Sequence, residues 1–281
     1  MNVKVGFVKL GNIGSAPLVE FLLDERAERE DLVVRVVSSG AKMGVEDAEE
    51  VSKKILEFNP SLVVLTTPNA SLPGPRKVME IISKAGKPCI AISDAPAKKA
   101  LKSFEELGVG YIVVEADSMI GARREFLDPE EMALFNADLI KILAVTGVFK
   151  VIRDELDKAI QDLKNGKSPH LPKSVLDLNV VDFAGFKNPY ARSKAMAAYE
   201  IARSVAPLTV KGCFMVKEWE KYIPLLSTAH EMIRIASKLA DEAREIEKYG
   251  DSVLRTPHYD DGSILYKRSL MEKPKPIGEE T

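Results

Sequence analysis

Short apolar runs alternate with stretches of helical periodicity over the first 117 residues. The run VKVGFVKL (3–10) stops at a glycine turn. Pro17, Leu18, Phe21 and Leu22 then recur at helical spacing until the charged run DERAERE closes the segment. The unit repeats as VVRVVSS (33–39), turn GAKMG and helix EDAEEVSKKILEF (46–58). It repeats again as SLVVLTT (61–67), loop PNASLPGP and helix RKVMEIISKAG. KPCIAISD (87–94) with helix KKALKSFEEL and the run GYIVVEAD (110–117) complete the series. Continuous apolar runs mark strands covered on both faces, and their alternation with helices predicts right-handed crossovers. The expected fold is α/β: a Rossmann-like, mostly parallel, doubly wound sheet forming a cofactor-binding domain over 1–120.

After residue 118 the strand pattern fades, and a helical domain is expected over 121–250. Asp128-Pro129 places a capping carboxylate before a proline at the first helical position. EEMALFNADLIKILAVTG follows, then VFKVIRDELDKAIQDLKNG, which ends at Asn165-Gly166. The irregular stretch over 166–189 is long enough to suggest a functional loop. Asn188-Pro189 repeats the cap-plus-proline start for YARSKAMAAYEIARSV. A last long helix near 216–248 carries Ile223, Leu226, His230, Ile233, Ala236 and Leu239 on one face. The C-terminal arm, 251–281, holds Pro257, Pro274 and Pro276 with little periodicity and reads as extended or loose.

Composition removes several function classes. In 281 residues, 40 Lys plus Arg face 42 Asp plus Glu, so no basic surplus calls for nucleic acid. The 46% hydrophobic content supports a sizeable core. Two cysteines outside any C-x-x-C pair and three scattered histidines do not suggest a metal centre. Cys89, inside a strand, is expected to be inert, and His230 to be a packed or interface residue. No apolar run approaches the ~20 residues of a membrane span. The N-terminus reads as a strand and a turn, so the cytoplasm is the expected compartment.

In open parallel sheets the ligand crevice lies beyond the carboxyl ends of the strands. Those ends read Gly11-Asn12-Ile13-Gly14, Ser38-Ser39-Gly40-Ala41-Lys42, Thr66-Thr67-Pro68-Asn69, Ser93-Asp94-Ala95-Pro96 and Glu115-Ala116-Asp117. Each alone reads equally as an ordinary turn, but their convergence on one edge favours a site. A dinucleotide fingerprint would begin at Lys9, where a glycine is required, and only Gly11 and Gly14 fit. Ser38 and Ser39 stand where a ribose-binding acid belongs. NAD is disfavoured, and NADP stays open through Ser39 and Lys42. A cofactor with a phosphate but no adenosine ribose fits better.

Arg123 and Arg124 can hold carboxylates or phosphates, or bridge Glu125 and Asp128. Asp182, Phe183, Phe186, Asn188, Tyr190 and Arg192 form an aromatic-plus-amide cluster suited to a flat heterocycle, or else a hydrophobic plug. Phe135 and Asn136 are weaker candidates. No G-x-S-x-G elbow, P-loop or H-E-x-x-H occurs, so hydrolytic, phosphoryl-transfer and zinc chemistries lack their usual parts. Hydride transfer between two bound molecules needs no protein nucleophile.

GNIG (11–14), SSGAKM (38–43), TTPNASLPGP (66–75), SDAP (93–96), ARREFLDP (122–129), MALFNADLIKILAVTG (132–147) and VDFAGFKNPYARSKAMAAYE (181–200) together closely resemble the coenzyme F420-dependent methylenetetrahydromethanopterin dehydrogenases of methanogenic archaea. The long block around DFAGF and NPYAR is the specific part. The resemblance implies reversible hydride transfer from methylene-tetrahydromethanopterin to C5 of the deazaflavin, a step of carbon dioxide reduction to methane. It implies a dissociable F420 cosubstrate, no metal, no bound flavin, and a homo-oligomer, most simply a hexamer built as a trimer of dimers. On it, F420 is assigned to Gly11, Asn12, Ile13, Gly14, Ser38, Ser39, Gly40, Lys42, Thr66, Thr67 and Asn69. The pterin is assigned to Arg123, Arg124, Phe135, Asn136, Phe183, Phe186, Asn188 and Arg192. Asp182 or Asp94 is the expected electrostatic partner of the developing cation. An NADP-linked oxidoreductase and a non-catalytic metabolite-binding protein are the other readings.

Overall fold

A computed structural model describes residues 2–24, 29–118, 123 and 125–277. The strands are β1 (Val3–Lys9), β2 (Leu32–Ser38), β3 (Leu62–Thr67), β4 (Cys89–Asp94), β5 (Gly110–Val114) and β6 (Lys173–Leu176). Helices α1 (Ser15–Asp24), α2 (Val45–Glu57), α3 (Pro73–Lys84) and α4 (Leu101–Glu106) connect the first five. Then come α5 (Pro129–Val145), α6 (Val148–Lys164), α7 (Pro189–Val210) and α8 (Trp219–Tyr249). The sheet runs β2-β1-β3-β4-β5-β6, parallel throughout. The order reverses direction at β1/β3, the point where such sheets open a crevice.

The period of two along each strand divides the apolar residues between two cores. Ile90 and Ile92 of β4 face a core built with α1 and α5–α8, while Cys89 and Ala91 face one built with α2, α3 and α4. The first core is continuous from Val3 to Ala243. The boundary expected near residue 120 is therefore crossed twice, by this core and by β6, which pairs with β5 from within the segment expected to be irregular. A four-residue edge strand that shows Lys173 and Val175 to solvent is too short and too polar to announce itself by periodicity.

The expected helix starts hold. Asp128 accepts the Glu131 N–H at 2.7 Å ahead of Pro129, and Asn188 accepts the Tyr190 N–H at 2.8 Å ahead of Pro189. The arm departs from expectation, because its described part folds back and is pinned. Arg153 bonds Thr256, and His258 Nε2 meets Asp157 at 2.8 Å. Arg268 donates to the carbonyls of Gly185 and Ser252. Strands β7 (Leu265–Tyr266) and β8 (Lys275–Pro276) pair antiparallel within it. Cys89 is buried in β4, and burial pushes its thiol up to about 12, so it is inert as expected.

Candidate active site

The amino end of α1 is the place where a doubly wound sheet usually holds an anionic ligand, because its first N–H groups are unpaired and its dipole favours negative charge. Here the chain supplies the anion itself. Asp117, just beyond β5, accepts the Gly14 N–H at 2.6 Å and the Ser15 N–H at 2.8 Å. Both Gly14 and Ile13 are buried, Ile13 within the core, and the Gly14 N–H is already engaged by Asp117. Burial outweighs those hydrogen bonds and pushes the Asp117 carboxyl up to about 6. A carboxyl whose folded pKa exceeds its unfolded value stabilises the fold most when protonated. Its contribution should fall as pH rises from about 4 to about 6, by on the order of 3 kcal/mol. Urea unfolding of the parent and of Asp117→Asn across that interval checks this, since the variant should lack that part of the slope.

The second strand end also folds inward on itself. Ser38 Oγ accepts the Gly40 N–H at 3.0 Å, and the Ser39 hydroxyl donates to the Lys42 carbonyl at 2.7 Å. Ser38, Ser39, Gly40 and Lys42 thus build the turn, with the Ser39 hydroxyl engaged rather than offered to a phosphate. Met43, next in the chain, reaches the site. Gly11, at φ +86°, lies so close to it that a Cβ would stand 2.5 Å from Met43 Sδ and 2.9 Å from Pro68 Cδ. Thr66 and Thr67 are fully buried beneath this floor, while Asn69 Oδ1 accepts from the backbone and hydroxyl of Ser71. Asn12 is half-buried.

A cleft of about 690 Å³ opens over the ends of β3, β4 and β5. One wall is Met43, Pro68 and Leu72; the other is Ala206, Pro207, Val210 and Phe214 from the end of α7 and the turn after it. Asn69, Lys98, Lys99, Glu115 and Arg203 supply the polar groups. Glu115 is buried and accepts from Lys98 Nζ at 2.5 Å and Arg203 Nη1 at 3.3 Å. Asp94, buried at the end of β4, accepts the Ala95 N–H at 2.6 Å. Burial and the neighbouring Asp117 charge hold its carboxyl well above the usual carboxylate range. Two apolar walls with a few convergent polar groups, in a volume typical of small-molecule sites, suit planar ring systems.

Most residues expected to hold a second ligand lie elsewhere. Arg123 Nη2 donates to the Val216 carbonyl at 3.0 Å, and its guanidinium lies 4.5 Å from the Tyr222 ring centre, so it clamps the chain rather than offering a free fork. Arg124 lies outside the described residues. Phe135 is core, its ring 4.3 Å from that of His230, and Asn136 donates to the Met132 carbonyl in its own helix. His230 is packed as expected, with Nδ1 2.6 Å from Glu131. Asp182 and Arg192 form an exposed ion pair at 2.6 Å, and Asn188 caps α7. Phe183 and Phe186 line two separate hollows of about 370 and 250 Å³. From Arg192 to Ala206 is fourteen residues of α7, about 21 Å at 1.5 Å each. The aromatic loop is therefore a feature of the far end of α7 and not of this cleft.

Lys98, Lys99, Arg203, Ala206, Pro207 and Phe214 escaped the sequence reading. Lys98 and Lys99 follow the Pro96 turn directly, so the strand-end rule already pointed at them. Arg203, Ala206 and Val210 recur at helical spacing, but nothing local says which strand ends that stripe covers.

A family model for methylene-5,6,7,8-tetrahydromethanopterin dehydrogenase matches residues 3–275. The chain belongs to that family. It is 59% identical over 276 residues to the F420-dependent methylenetetrahydromethanopterin dehydrogenase of Archaeoglobus fulgidus, covering 98% of this chain and 100% of the relative. Against the enzyme of that name from Methanocaldococcus jannaschii it is 52% identical over 277 residues, with the same coverage. A solved structure of an F420-dependent methylene-tetrahydromethanopterin dehydrogenase, in complex with methylene-tetrahydromethanopterin and coenzyme F420, superposes with a TM-score of 0.94. That chain is 47% identical, and the match covers 98% of this one and 100% of that one. Among the described residues no cluster of His, Cys, Asp or Glu is arranged to hold a metal ion, and no single helix is long and apolar enough to cross a membrane.

Proposed function

We infer that this member of the family transfers a hydride reversibly between methylene-tetrahydromethanopterin and coenzyme F420, giving methenyl-tetrahydromethanopterin and reduced F420. The observation that carries the reading is family membership over nearly the whole chain, joined to a largely apolar cleft with a few polar groups at the strand ends. When bound, F420 supplies the hydride acceptor at C5, and the carbon that loses hydride is flanked by two nitrogens whose lone pairs stabilise the cation left behind.

The protein's part is to stack and orient. Pro68 and Leu72 on one side and Pro207 and Phe214 on the other would hold the two ring systems against one another and exclude water, favouring close approach of the reacting carbons. Glu115 sets a negative charge where positive charge develops, a role expected of Asp94 or Asp182. Of the three carboxylates only Glu115 lines the cleft, and Asp182 sits at the far end of α7, so we assign the role to Glu115. Lys99 at the mouth can meet an anionic tail of the cosubstrate.

We further propose that the chain works as a homo-oligomer, a hexamer built as a trimer of dimers, in the cytoplasm. Phe21, Leu134 and Ile235 are large apolar side chains exposed in the single chain, which supports assembly. Light scattering at micromolar concentration should return six chains.

The test is an anaerobic assay of purified protein with methylene-tetrahydromethanopterin and either oxidised F420 or NADP. Loss of deazaflavin absorbance, with no change in the NADP arm, supports the reading. Turnover with NADP alone overturns it, and binding without turnover in both arms marks a metabolite-binding protein.

A further inference from the structure

We propose that Phe214 is the face on which one of the two planar reactants stacks, and that Arg123 is the positioning residue that holds it there; this rests on the hydride-transfer reading above. Helix α7 does not end in an ordinary turn. It runs into a π-helical turn, Lys211–Met215, closed by the Val216 N–H on the Lys211 carbonyl at 3.0 Å. Single π turns are rare and are found mostly at functional sites, because their wider winding re-aims a side chain. Here the turn buries Cys213 against Tyr222 and Leu226 and leaves Phe214 62% exposed on the cleft.

Arg123 brackets that ring through the backbone. Its Nε donates to the carbonyl of Gly212 at 3.4 Å and its Nη2 to that of Val216 at 3.0 Å, two residues before Phe214 and two after. The guanidinium plane also rests on Tyr222, itself buried in α8. A planar fork can serve two carbonyls and an aromatic face together, which a lysine ammonium cannot. Arg123 thus ties the turn to the segment that leaves β5, the strand whose end carries Glu115. Loosening it should disturb the distance between the aromatic wall and the strand ends without unfolding the core. A Phe ring offers no hydrogen bond, so its contribution is to affinity and alignment of a flat partner.

The test uses the full chain and its Phe214→Ala, Phe214→Tyr, Arg123→Met and Arg123→Lys variants, with thermal midpoints confirming folding. Each is titrated with coenzyme F420 alone, followed by the cosubstrate's own fluorescence, and then assayed for KM and kcat with both reactants. Phe214→Ala should raise Kd or KM for one reactant by about tenfold or more while the other stays within about twofold, and Phe214→Tyr should restore it. Arg123→Met should reproduce the same selective loss and shift the emission of Trp219, the only tryptophan, which begins α8 beside the turn; Arg123→Lys should rescue only partly. If the parent turns over normally and Phe214→Ala leaves both constants unchanged, the stacking role is overturned. If Phe214→Ala shows the loss and Arg123→Met does not, the positioning role is. A parent that binds F420 but does not turn over sinks the hydride-transfer reading instead; titration of the parent and Phe214→Ala with each reactant separately then decides Phe214, since an unchanged Kd for both overturns the stacking role.

Discussion

Replacement of Glu115 by Gln is expected to lower kcat about 10- to 100-fold while both Michaelis constants stay within about threefold of the parent, equivalent to ~1.4–2.8 kcal/mol of lost transition-state stabilisation. The carboxylate stands at the end of β5, buried, between Lys98 and Arg203 on the polar side of the cleft. Binding before reaction depends mainly on the apolar walls, which the substitution leaves alone. Positive charge appears on the substrate only as the hydride leaves, and only then does the missing charge matter. Stability should fall by about 1 kcal/mol or less, because Lys98 and Arg203 both reach solvent and water screens them once their partner is neutral. Steady-state loss of deazaflavin absorbance measures both constants. A variant with raised KM and parental kcat would make Glu115 a binding residue and no more.

The second large effect is structural. Gly74, in the first turn of α3, lies so close to the chain between β2 and α2 that a Cβ would stand 2.1 Å from the carbonyl oxygen of Met43 and 2.8 Å from that of Gly44. Both neighbours are backbone, so no rotamer change relieves the clash; the β2–α2 segment and α3 must separate. Gly74→Ala is therefore expected to cost about 3 kcal/mol and to lower the melting temperature by roughly 5–10 °C. The displaced segment carries Met43, part of one cleft wall, so F420 affinity should weaken as well. Differential scanning calorimetry, with F420 titration of the folded variant, checks both effects. A midpoint within about 2 °C of the parent would show that the segment yields easily.

Five strands were legible because each carries a run of apolar residues: β3 and β4 are buried at every residue, and the edge strand β2, though partly exposed, is long enough to keep Leu32, Val33, Val34, Val36 and Val37 together. The sixth was not, since a short edge strand mixes exposed and buried positions. Asp128-Pro129 and Asn188-Pro189 marked helix starts through local chemistry, which sequence carries directly. The site was legible only as far as the strand-end rule reaches. That rule pointed to Asn69 and to the segment holding Glu115, and it could not say that Asp117, over a hundred residues away, fills the amino end of α1. Nor could it distinguish turn-building serines from ligand-binding ones, because Ser38 and Ser39 use the same hydroxyls for either task. The aromatic loop shows the same degeneracy. Phe183, Asn188 and Arg192 have the composition of a heterocycle site, yet Asn188 is a helix cap and Arg192 an ion-pair partner. What ties Arg203 and Phe214 to the strand ends is the path of α7 across the sheet, a tertiary fact without a local signature.

The most direct measurement is a crystal structure of this chain with oxidised F420 and methylene-tetrahydromethanopterin both bound. Both ring systems should lie between the Pro68–Leu72 and Pro207–Phe214 walls, with the donor carbon ~3–3.5 Å from the acceptor carbon and no covalent bond to any side chain. Electron density for either ring beside Phe183 and Arg192, or a bond from the protein to either molecule, would contradict it.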